Sequence, residues 1–268
     1  MVEKIIENFD LDQICRSGQC FRMQKEENGM FHVKAGSDFI RLSQNGNHVT
    51  FFCSQEEFNG KWKDYFDLDT DYQTYIGQAD KKDSYLMEAV EYGSGIRILK
   101  QDLWETIVSF LISQKNNITR IRRCVENICE KYGGERTGDD GRIYHAFPSP
   151  AALSMLGEDE LKSCNLGYRS KYVVRSARMI EDGSVSLEKI RNMEYKEAKE
   201  ELLRLFGVGE KVADCICLFA LHHLQAFPID THIRQALEKN YPLGFPKEKY
   251  RGFQGVMQQY IFYYELFK

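Results

Sequence analysis

The chain has 268 residues, and its 36 Lys and Arg against 40 Asp and Glu give a formal net charge of −4. With 43% hydrophobic and 28% charged residues, the composition is that of a globular protein and excludes a disordered or fibrous chain. A chain of this length buries its apolar residues in one large domain or in two to three smaller ones. The acidic total leaves room for a local basic face.

The first third of the chain has the pattern of an antiparallel sheet. Short runs rich in β-branched and aromatic residues predict strands at 20–24, 30–35, 39–43 and 48–53. Asn28-Gly29 and Asn45-Gly46 separate them, and such dipeptides favour tight hairpin turns. Three helices, predicted at 56–65, 71–77 and 83–92, are expected to pack near this sheet.

From about Gln101 the apolar residues recur at helical spacing. Leu103, Ile107 and Phe110 mark one helix, and a second follows from Ile118. Further helices are predicted at 150–156, 159–164, 170–181, 195–205, 210–222, 231–240 and 255–267. The predicted fold class is therefore α+β, with an N-terminal antiparallel β-sheet domain with helices over residues 1–95. An all-α domain follows over residues 96–268.

Neither the start of the chain nor its apolar stretches carry a targeting or membrane signal. Residues 1–10 mix charged with single apolar residues, so we expect no signal peptide. The longest apolar stretch, 212–229, is interrupted by polar residues, which is typical of a buried helix running into a turn. We therefore expect a cytoplasmic protein, associated with the nucleoid if the source is bacterial, and no membrane partner.

The eight cysteines do not form a metal or disulfide pattern. None of them makes a CxxC pair, and Cys215 and Cys217 lie within an apolar run. We expect most of them to be small buried hydrophobic residues in a reducing compartment. The sequence predicts no metal site and no cofactor.

Two helical patterns meet at Gly207-Val208-Gly209, a turn predicted to be too tight for side chains at both glycines. Such a turn exposes backbone N–H groups at the start of the next helix, where the helix dipole favours a phosphate. A plain helix-turn-helix corner with a glycine C-cap explains the same glycines equally well. The glycines alone leave both interpretations open.

Lys211 falls in the first turn of the second helix, where the dipole disfavours a cation and favours the neutral amine. A neutral amine there is able to attack an electrophilic carbon and form a Schiff base. A lysine that contacts a phosphate or faces solvent is the alternative. Cys215 lies four residues further on, so both side chains face one side of the helix.

Asp230 precedes the apolar pattern of Ile233 and Leu237, so it is predicted to be a helix N-cap. That role is compatible with a functional one. A carboxylate that accepts hydrogen bonds from helix N–H groups is stabilised in its ionised form, as needed to stabilise a developing cation. Lysine and aspartate beside a phosphate-binding turn suggest nucleophilic displacement at a sugar.

Two runs of the chain carry basic residues without an acid. The first, 113–123, includes Lys115 and Arg120, and the second, 164–178, includes Arg169. A charged run is usually a solvated face, but two such runs beside the glycine turn favour DNA binding. The interspersed amides and tyrosines are residue types that enter grooves or contact bases.

These residues together resemble a known family. The segments FGVGEKVAD at 206–214 and PID at 228–230 are similar to the helix-hairpin-helix glycosylase superfamily. The match to the 8-oxoguanine DNA glycosylase family is closer, because of SGQCFR at 17–22, NNITRI at 116–121 and LGYRSKY at 166–172. The resemblance covers about residues 9–267.

The resemblance implies a bifunctional DNA repair enzyme. It would flip 8-oxoguanine out of double-stranded DNA, cut its N-glycosidic bond and nick the abasic strand by β-elimination, acting as a monomer without a cofactor. Lys211 matches the family's nucleophile, which attacks the sugar C1′ and forms an imine. Asp230 matches the carboxylate that stabilises the cationic sugar.

The resemblance also implies how the base is recognised. Gly18 matches the glycine whose carbonyl accepts the N7–H of the oxidised base, where guanine has an acceptor instead. Cys215 and Phe262 would enclose the base between them. Gln258 would read its Watson–Crick edge.

The remaining matches concern the DNA around the lesion. Arg120 and Arg169 match residues that contact the cytosine opposite, and Tyr168 matches a wedge inserted into that strand. The other residues matched to DNA contacts are Asn116, Asn117, Gly207, Gly209 and His232.

The chain departs from the family pattern at two positions. Lys115 stands where the family has the first Asn of a triplet, which predicts an altered opposite-base preference or affinity. Phe206 replaces a proline that often opens the hairpin. Two alternatives stay open at this point: a glycosylase for another damaged base, and a noncatalytic DNA-binding module.

Overall fold

The computed structural model describes residues 1–268, which begin with a five-stranded antiparallel sheet in the order β1-β5-β4-β3-β2. Its strands are β1 (Val2–Ile5), β2 (Met23–Lys25), β3 (Phe31–Ala35), β4 (Asp38–Asn45) and β5 (His48–Phe52). The β4–β5 hairpin pairs Asn45 with His48, and Gly46 turns with φ +59°. The Asn-Gly turn chemistry read from the sequence therefore sets the register of this hairpin.

One face of the sheet is covered by short helical segments. Helix α1 (Leu11–Arg16) lies between β1 and β2, and α2 (Gln55–Glu57), a π-helical turn (Phe58–Trp62) and α3 (Lys63–Tyr65) follow β5. Leu11 and Trp62 join the buried face of the strands in one core. The alternating burial along β3, β4 and β5 is the period-two pattern that the sequence showed.

The rest of the chain is mostly helical. Its α-helices are α4 (Tyr72–Gly77), α5 (Ser84–Tyr92), α6 (Leu103–Ser113), α7 (Ile118–Tyr132), α8 (Pro150–Ser154), α9 (Ser170–Glu181), α10 (Leu187–Arg191), α11 (Tyr195–Leu202), α12 (Glu210–Phe219), α13 (Thr231–Asn240) and α14 (Gln254–Phe267). Short 3₁₀ turns occur at Glu160–Cys164, Gly167–Arg169 and Lys247–Tyr250. None of the helices has the length and apolar content needed to cross a membrane.

Helices α4 and α5 pack on the helical core and not near the sheet, so that expectation was wrong. Tyr72, Leu86 and Val90 belong to the same buried cluster as α6 and α12. Tyr85 of α5 donates a hydrogen bond to Glu265 of α14 at 2.7 Å. The apolar face of α5 is buried by α14, a partner too distant in sequence for local patterns to reveal.

The helical part is not all-helical, which corrects the second expectation. It contains a two-stranded hairpin, β6 (Glu135–Thr137) and β7 (Ile143–His145). Every residue of β6 is exposed, so no alternating pattern marks it in the sequence. Tyr144 stacks on Phe39 of the sheet at a ring-centroid distance of 5.2 Å, and this contact holds the hairpin. Strand β1 and helices α1 and α10 were also missed.

A buried ion pair joins the sheet to the helical part. Arg22, 1% exposed, lies 3.3 Å from the carboxylate of Glu105 in α6. The same carboxylate accepts a hydrogen bond from the Gly36 N–H at 2.8 Å. The domain boundary at residues 95 and 96 stays a prediction.

Candidate active site

The turn between α11 and α12 needs glycine at one of its two glycine positions. Gly207 has φ +91°, and a Cβ there would lie 2.6 Å from Cγ of Tyr172. Gly209 has φ −106° and open space where a Cβ would lie, so the expectation that both positions exclude a side chain was wrong. Gly209 is the N-cap of α12 and has no side chain to bind the first N–H groups of the helix. An approaching phosphate is able to bind them.

Lys211 projects from the first turn of α12 into a small cavity of about 40 Å³. Its Nζ atom lies 5.2 Å from the centroid of the Phe110 ring. Cys215, four residues on, lines the same cavity, as the helical spacing predicted. Burial raises the pKa of Cys215 to about 11, although neighbouring Lys211 opposes this shift, so the thiol is neutral at physiological pH.

Asp230 reaches this cavity from the start of α13. Its carboxylate accepts a hydrogen bond from the Ile233 N–H at 2.8 Å, which confirms the predicted N-cap. The cap fixes the position of this carboxylate at the start of α13. The two residues placed in chemical roles by the sequence therefore line one cavity.

The turn that carries Gly18 forms another wall of the cavity. Gly18 has φ +75°, and a Cβ there would lie 3.0 Å from Cε1 of Phe262. Gln259, 1% exposed, donates a hydrogen bond to the neighbouring Ser17 carbonyl at 2.6 Å. The positive φ explains why glycine occupies this position, and Gln259 holds the turn against α14.

Gln258 presents a hydrogen-bond acceptor without a partner. Its side-chain amide donates to the Pro228 carbonyl at 3.1 Å, and its Oε1 atom is buried and unpaired. An unpaired buried acceptor costs about 1–3 kcal/mol, so its place beside a cavity suits a water or another group that donates a hydrogen bond there. Phe262 covers the cavity on the side of Gly18, and the exposed His232 lies edge-on to its ring at 6.2 Å.

The loop between α6 and α7 lines a larger groove of about 700 Å³ outside the cavity. Asn117 caps α7 by accepting the Arg120 N–H at 2.9 Å, and Asn116 donates to the Ile112 carbonyl at 3.1 Å. Lys115 has φ +48°, a left-handed conformation that asparagine adopts more readily than lysine. Gln114 joins the loop to the hairpin by donating to the Gly207 carbonyl at 3.0 Å.

Arg169 is buried in the free chain, at 4% exposure. It donates hydrogen bonds to the carbonyls of Gln114 and Lys115, each at 2.9 Å. Tyr168 beside it is 46% exposed, which suits a side chain that enters DNA. Arg120 is exposed and reaches the Asn165 carbonyl at 3.4 Å. Arg169 therefore holds the loop between α6 and α7 through its backbone carbonyls.

The arginines of the second basic run, 164–178, make more hydrogen bonds within the protein than the sequence suggests. Arg175 makes two hydrogen bonds, of 2.7 and 2.9 Å, to the carboxylate of Glu158. Arg178 donates to the carbonyls of Ser154 and Leu156. The acid and carbonyls come from the segment before α9, which a search for acids within the run does not reveal.

Sequence reasoning missed Phe110 and Gln259 as parts of the site. Phe110 is one of several apolar residues in α6, and the sequence of this helix gives no sign that Phe110 faces Lys211. Gln259 had a visible signal, since it follows Gln258 as a second polar residue within the buried part of α14.

Comparison with known proteins agrees with this geometry. Residues 108–251 match the family model of the HhH-GPD superfamily of base excision DNA repair proteins. Residues 1–107 match the N-terminal domain of 8-oxoguanine DNA glycosylase. The fold and the site thus define a helix-hairpin-helix base excision repair protein. Within that superfamily, the chain belongs to the 8-oxoguanine DNA glycosylase family.

Individual relatives show the extent of the likeness. The N-glycosylase/DNA lyase of Saccharomyces cerevisiae is 37% identical over 57% of this chain and 44% of its own length. N-glycosylase/DNA lyase OGG1 of Arabidopsis thaliana is 32% identical over 85% of this chain and 64% of its own length. The chain therefore spans less than two thirds of these two relatives.

A solved structure matches over nearly its whole length. It is the Clostridium acetobutylicum 8-oxoguanine glycosylase/lyase in complex with double-stranded DNA containing cytosine opposite 8-oxoguanine. Its identity to this chain is 37% and its TM-score is 0.91, covering 96% of this chain and 92% of that one.

Proposed function

We propose that this protein excises 8-oxoguanine paired with cytosine from double-stranded DNA and then nicks the abasic strand. The observation that carries the proposal is the cavity where Lys211, Asp230, Gly18 and Gln258 meet. It combines a nucleophile and a carboxylate with two positions for reading a base. Membership of the family supports this assignment.

The walls of the cavity suit the oxidised base. The Gly18 carbonyl, which accepts no hydrogen bond within the chain, would accept the N7–H of 8-oxoguanine and would face a repelling acceptor at N7 of guanine. The unpaired Oε1 of Gln258 would accept a hydrogen bond from the N1–H or the amino group of the base. Both contacts reject bases that lack these donors, because a buried acceptor would stay unpaired.

Entry of the base requires the cavity to open. Its volume of about 40 Å³ is close to the roughly 30 Å³ that one water molecule occupies in the liquid. A purine flipped out of the duplex is much larger, so the half-buried Phe262 ring has to turn away from Gly18. Phe262 and Cys215 then lie on opposite faces of the base.

The chemical step joins Lys211 to the sugar. The neutral amine attacks C1′, the C1′–N9 bond breaks, and its electron pair leaves with the base, which takes up a proton. The Asp230 carboxylate stabilises the positive charge that develops on the sugar. The C1′–O4′ bond of the sugar then opens as the amine forms an imine with C1′, and loss of a C2′ proton with departure of the 3′ phosphate nicks the strand by β-elimination.

The groove outside the cavity would hold the duplex. N–H groups at Gly209 and the start of α12 would bind a phosphate near the lesion, and His232 would lie on the same strand. Tyr168 would enter the opposite strand, where Arg120 and Arg169 would contact the unpaired cytosine. We infer that the protein acts as a monomer in the cytoplasm, without a membrane partner.

The test is cleavage of duplex oligonucleotides that carry 8-oxoguanine opposite each of the four bases. We expect base release and strand nicking, fastest opposite cytosine. Equal rates opposite all four bases would contradict the role of Arg120 and Arg169. If the protein releases an alkylated purine but not 8-oxoguanine, its substrate is another lesion. Binding of damaged duplex without any reaction would indicate a noncatalytic module.

A further inference from the structure

A second charged cluster lies behind the cavity, between α11 and α12. The Lys199 ammonium is 2.7 Å from Oε2 of Glu210 and 2.9 Å from Oδ1 of Asp214. Tyr195 donates a hydrogen bond of 2.7 Å to the same Asp214 oxygen. Asp214 is 8% exposed and Glu210 is mostly exposed, so Lys199 joins a buried acid to a surface acid.

These acids flank Lys211 on its own helix. Glu210 and Asp214 are four residues apart and form one stripe along α12, while Lys211 and Cys215 form the neighbouring stripe. Lys211 is therefore one residue from Glu210 and three from Asp214. Charges within one helical turn act strongly on each other where solvent is partly excluded.

This arrangement opposes the proposed chemistry unless the acids are neutralised. Two carboxylates within one helical turn of a lysine favour the protonated form of its amine, which cannot attack C1′. A cation nearby favours the neutral amine directly and also cancels the field of the acids. Lys199 is the residue that forms ion pairs with both acids.

We propose that Lys199 is a positioning residue that neutralises Glu210 and Asp214 and thereby keeps the amine of Lys211 available as a nucleophile. The inference rests on the proposed role of Lys211. Although burial disfavours its charge, hydrogen bonds with Glu210 and Asp214 raise the pKa of Lys199 above its ordinary value. It is thus a permanent cation at physiological pH.

The other charged and titratable groups around Lys211 do not replace Lys199. Cys215 is a neutral thiol, and burial raises the pKa of Tyr195 together with its hydrogen bond to Asp214. Burial lowers the pKa of His223, whose ring lies 6.0 Å from Tyr195. Asp230 adds a third carboxylate from α13. His232 and Lys115 line the outer groove, on the solvent side of the cavity.

The experiment is borohydride trapping of an abasic-site duplex as a function of pH, with enzyme in saturating excess. This reaction requires the Lys211 amine but no damaged base, so it is independent of which lesion the protein excises. Lys199→Met is compared with Lys199→Arg, which keeps the cation. Lys196→Met is the matched control, an exposed lysine on α11 without an ion pair. Release of 8-oxoguanine is measured in parallel.

We expect Lys199→Met to move the midpoint of the pH–rate profile upward by about one pH unit, which lowers the rate about tenfold below the midpoint. The rate at alkaline pH should return to that of the wild type. Lys199→Arg and Lys196→Met should keep the original midpoint. A loss of rate in Lys199→Met at every pH with an unmoved midpoint, or an equal shift in Lys196→Met, would overturn the inference.

A second variant should shift the pH midpoint in the opposite direction, and it should leave folding intact because the residue is exposed. Glu210 is exposed, and Glu210→Gln removes one flanking acid, so the midpoint should move downward by a few tenths of a pH unit. An upward shift or no shift would overturn the inference even if Lys199→Met does not fold. Trapping of wild-type protein without release of 8-oxoguanine would refute the proposed substrate and leave the Lys199 result intact.

Discussion

At the scale of single residues, Asp230 combines a helix cap with a chemical role, and the two are separable. Asparagine caps helices about as well as aspartate, so Asp230→Asn should change the free energy of unfolding by less than about 0.5 kcal/mol. Base excision should fall at least about a hundredfold, because the charge that stabilises the cationic sugar is lost. Single-turnover base release and chemical denaturation check the two effects.

Asp71→Asn, at the N-cap of α4, is the control for this substitution. It should leave both excision and stability nearly unchanged. Excision at the wild-type rate in Asp230→Asn would show that the carboxylate is only a cap.

Lys115 carries backbone strain that asparagine would relieve. Its φ of +48° lies in the left-handed region, where asparagine is tolerated better than lysine. We expect Lys115→Asn to raise the free energy of unfolding by about 0.5–1 kcal/mol, measured by denaturation. Asn165, at φ +66°, provides the reverse control, because Asn165→Lys should lose a similar amount. A destabilised Lys115→Asn would show that the lysine side chain holds the loop.

The positions of single residues could be predicted from the sequence where they depend on neighbours a few residues away in the chain. The four-residue spacing of Lys211 and Cys215 predicted that both lie on one face of the helix. The position of Asp230 before an apolar helical pattern predicted that it caps that helix. Sequence reasoning did not succeed for Arg169, whose burial depends on carbonyls 54 and 55 positions away in the chain. Phe110 was missed for the same reason, because nothing local shows which face of α6 meets Lys211.

At the scale of elements, the hairpin between α11 and α12 makes a paired prediction. Gly207→Ala places a Cβ against Tyr172 in a strained backbone conformation, and should destabilise the protein by about 2–4 kcal/mol. Gly209→Ala has room in the free protein and should change stability by less than about 1 kcal/mol. Its methyl group lies where a phosphate would approach, so affinity for duplex DNA should fall about tenfold.

Thermal or chemical denaturation and a DNA-binding titration check the two variants side by side. Unchanged DNA affinity in Gly209→Ala would contradict the phosphate-binding role of this turn.

The elements themselves were predictable to the extent that burial leaves a periodic pattern. Helices α9 and α13 were predicted with the bounds that the structure gives, because each has one apolar stripe and distinct ends. The exposed strand β6 has no apolar face and left no pattern. Packing partners were harder to predict than the elements, since α5 meets α14 only in the folded chain.

At the scale of the whole molecule, two hydrophobic cores are joined by the ion pair of Arg22 and Glu105. Removing one partner of a buried pair leaves an uncompensated charge, so Glu105→Gln should destabilise the protein by about 3–5 kcal/mol. Glu158→Gln is the matched control, because it breaks an exposed pair with Arg175 that is worth about 0–1 kcal/mol. Denaturation curves of the two variants give the comparison, and equal losses would contradict a special role for the buried pair.

The division of the chain into a sheet and a mostly helical part was visible in the change from a period of two to a helical period. The joint between the parts was not, because Arg22 and Glu105 are 83 residues apart and each looks like an ordinary surface residue in the sequence. The family motifs suggested the proposed function, and the geometry of the cavity gives a physical reason for it.

We propose above that the amine of Lys211 attacks C1′ of an 8-oxoguanine nucleotide. The most direct measurement is borohydride trapping on a duplex with 8-oxoguanine opposite cytosine, followed by proteolysis and mass spectrometry of the adduct. We expect one modified peptide, with the reduced sugar attached to Lys211, and no adduct from Lys211→Gln, which should still fold and bind the duplex. An adduct on another amine, or base release by Lys211→Gln at the wild-type rate, would contradict it.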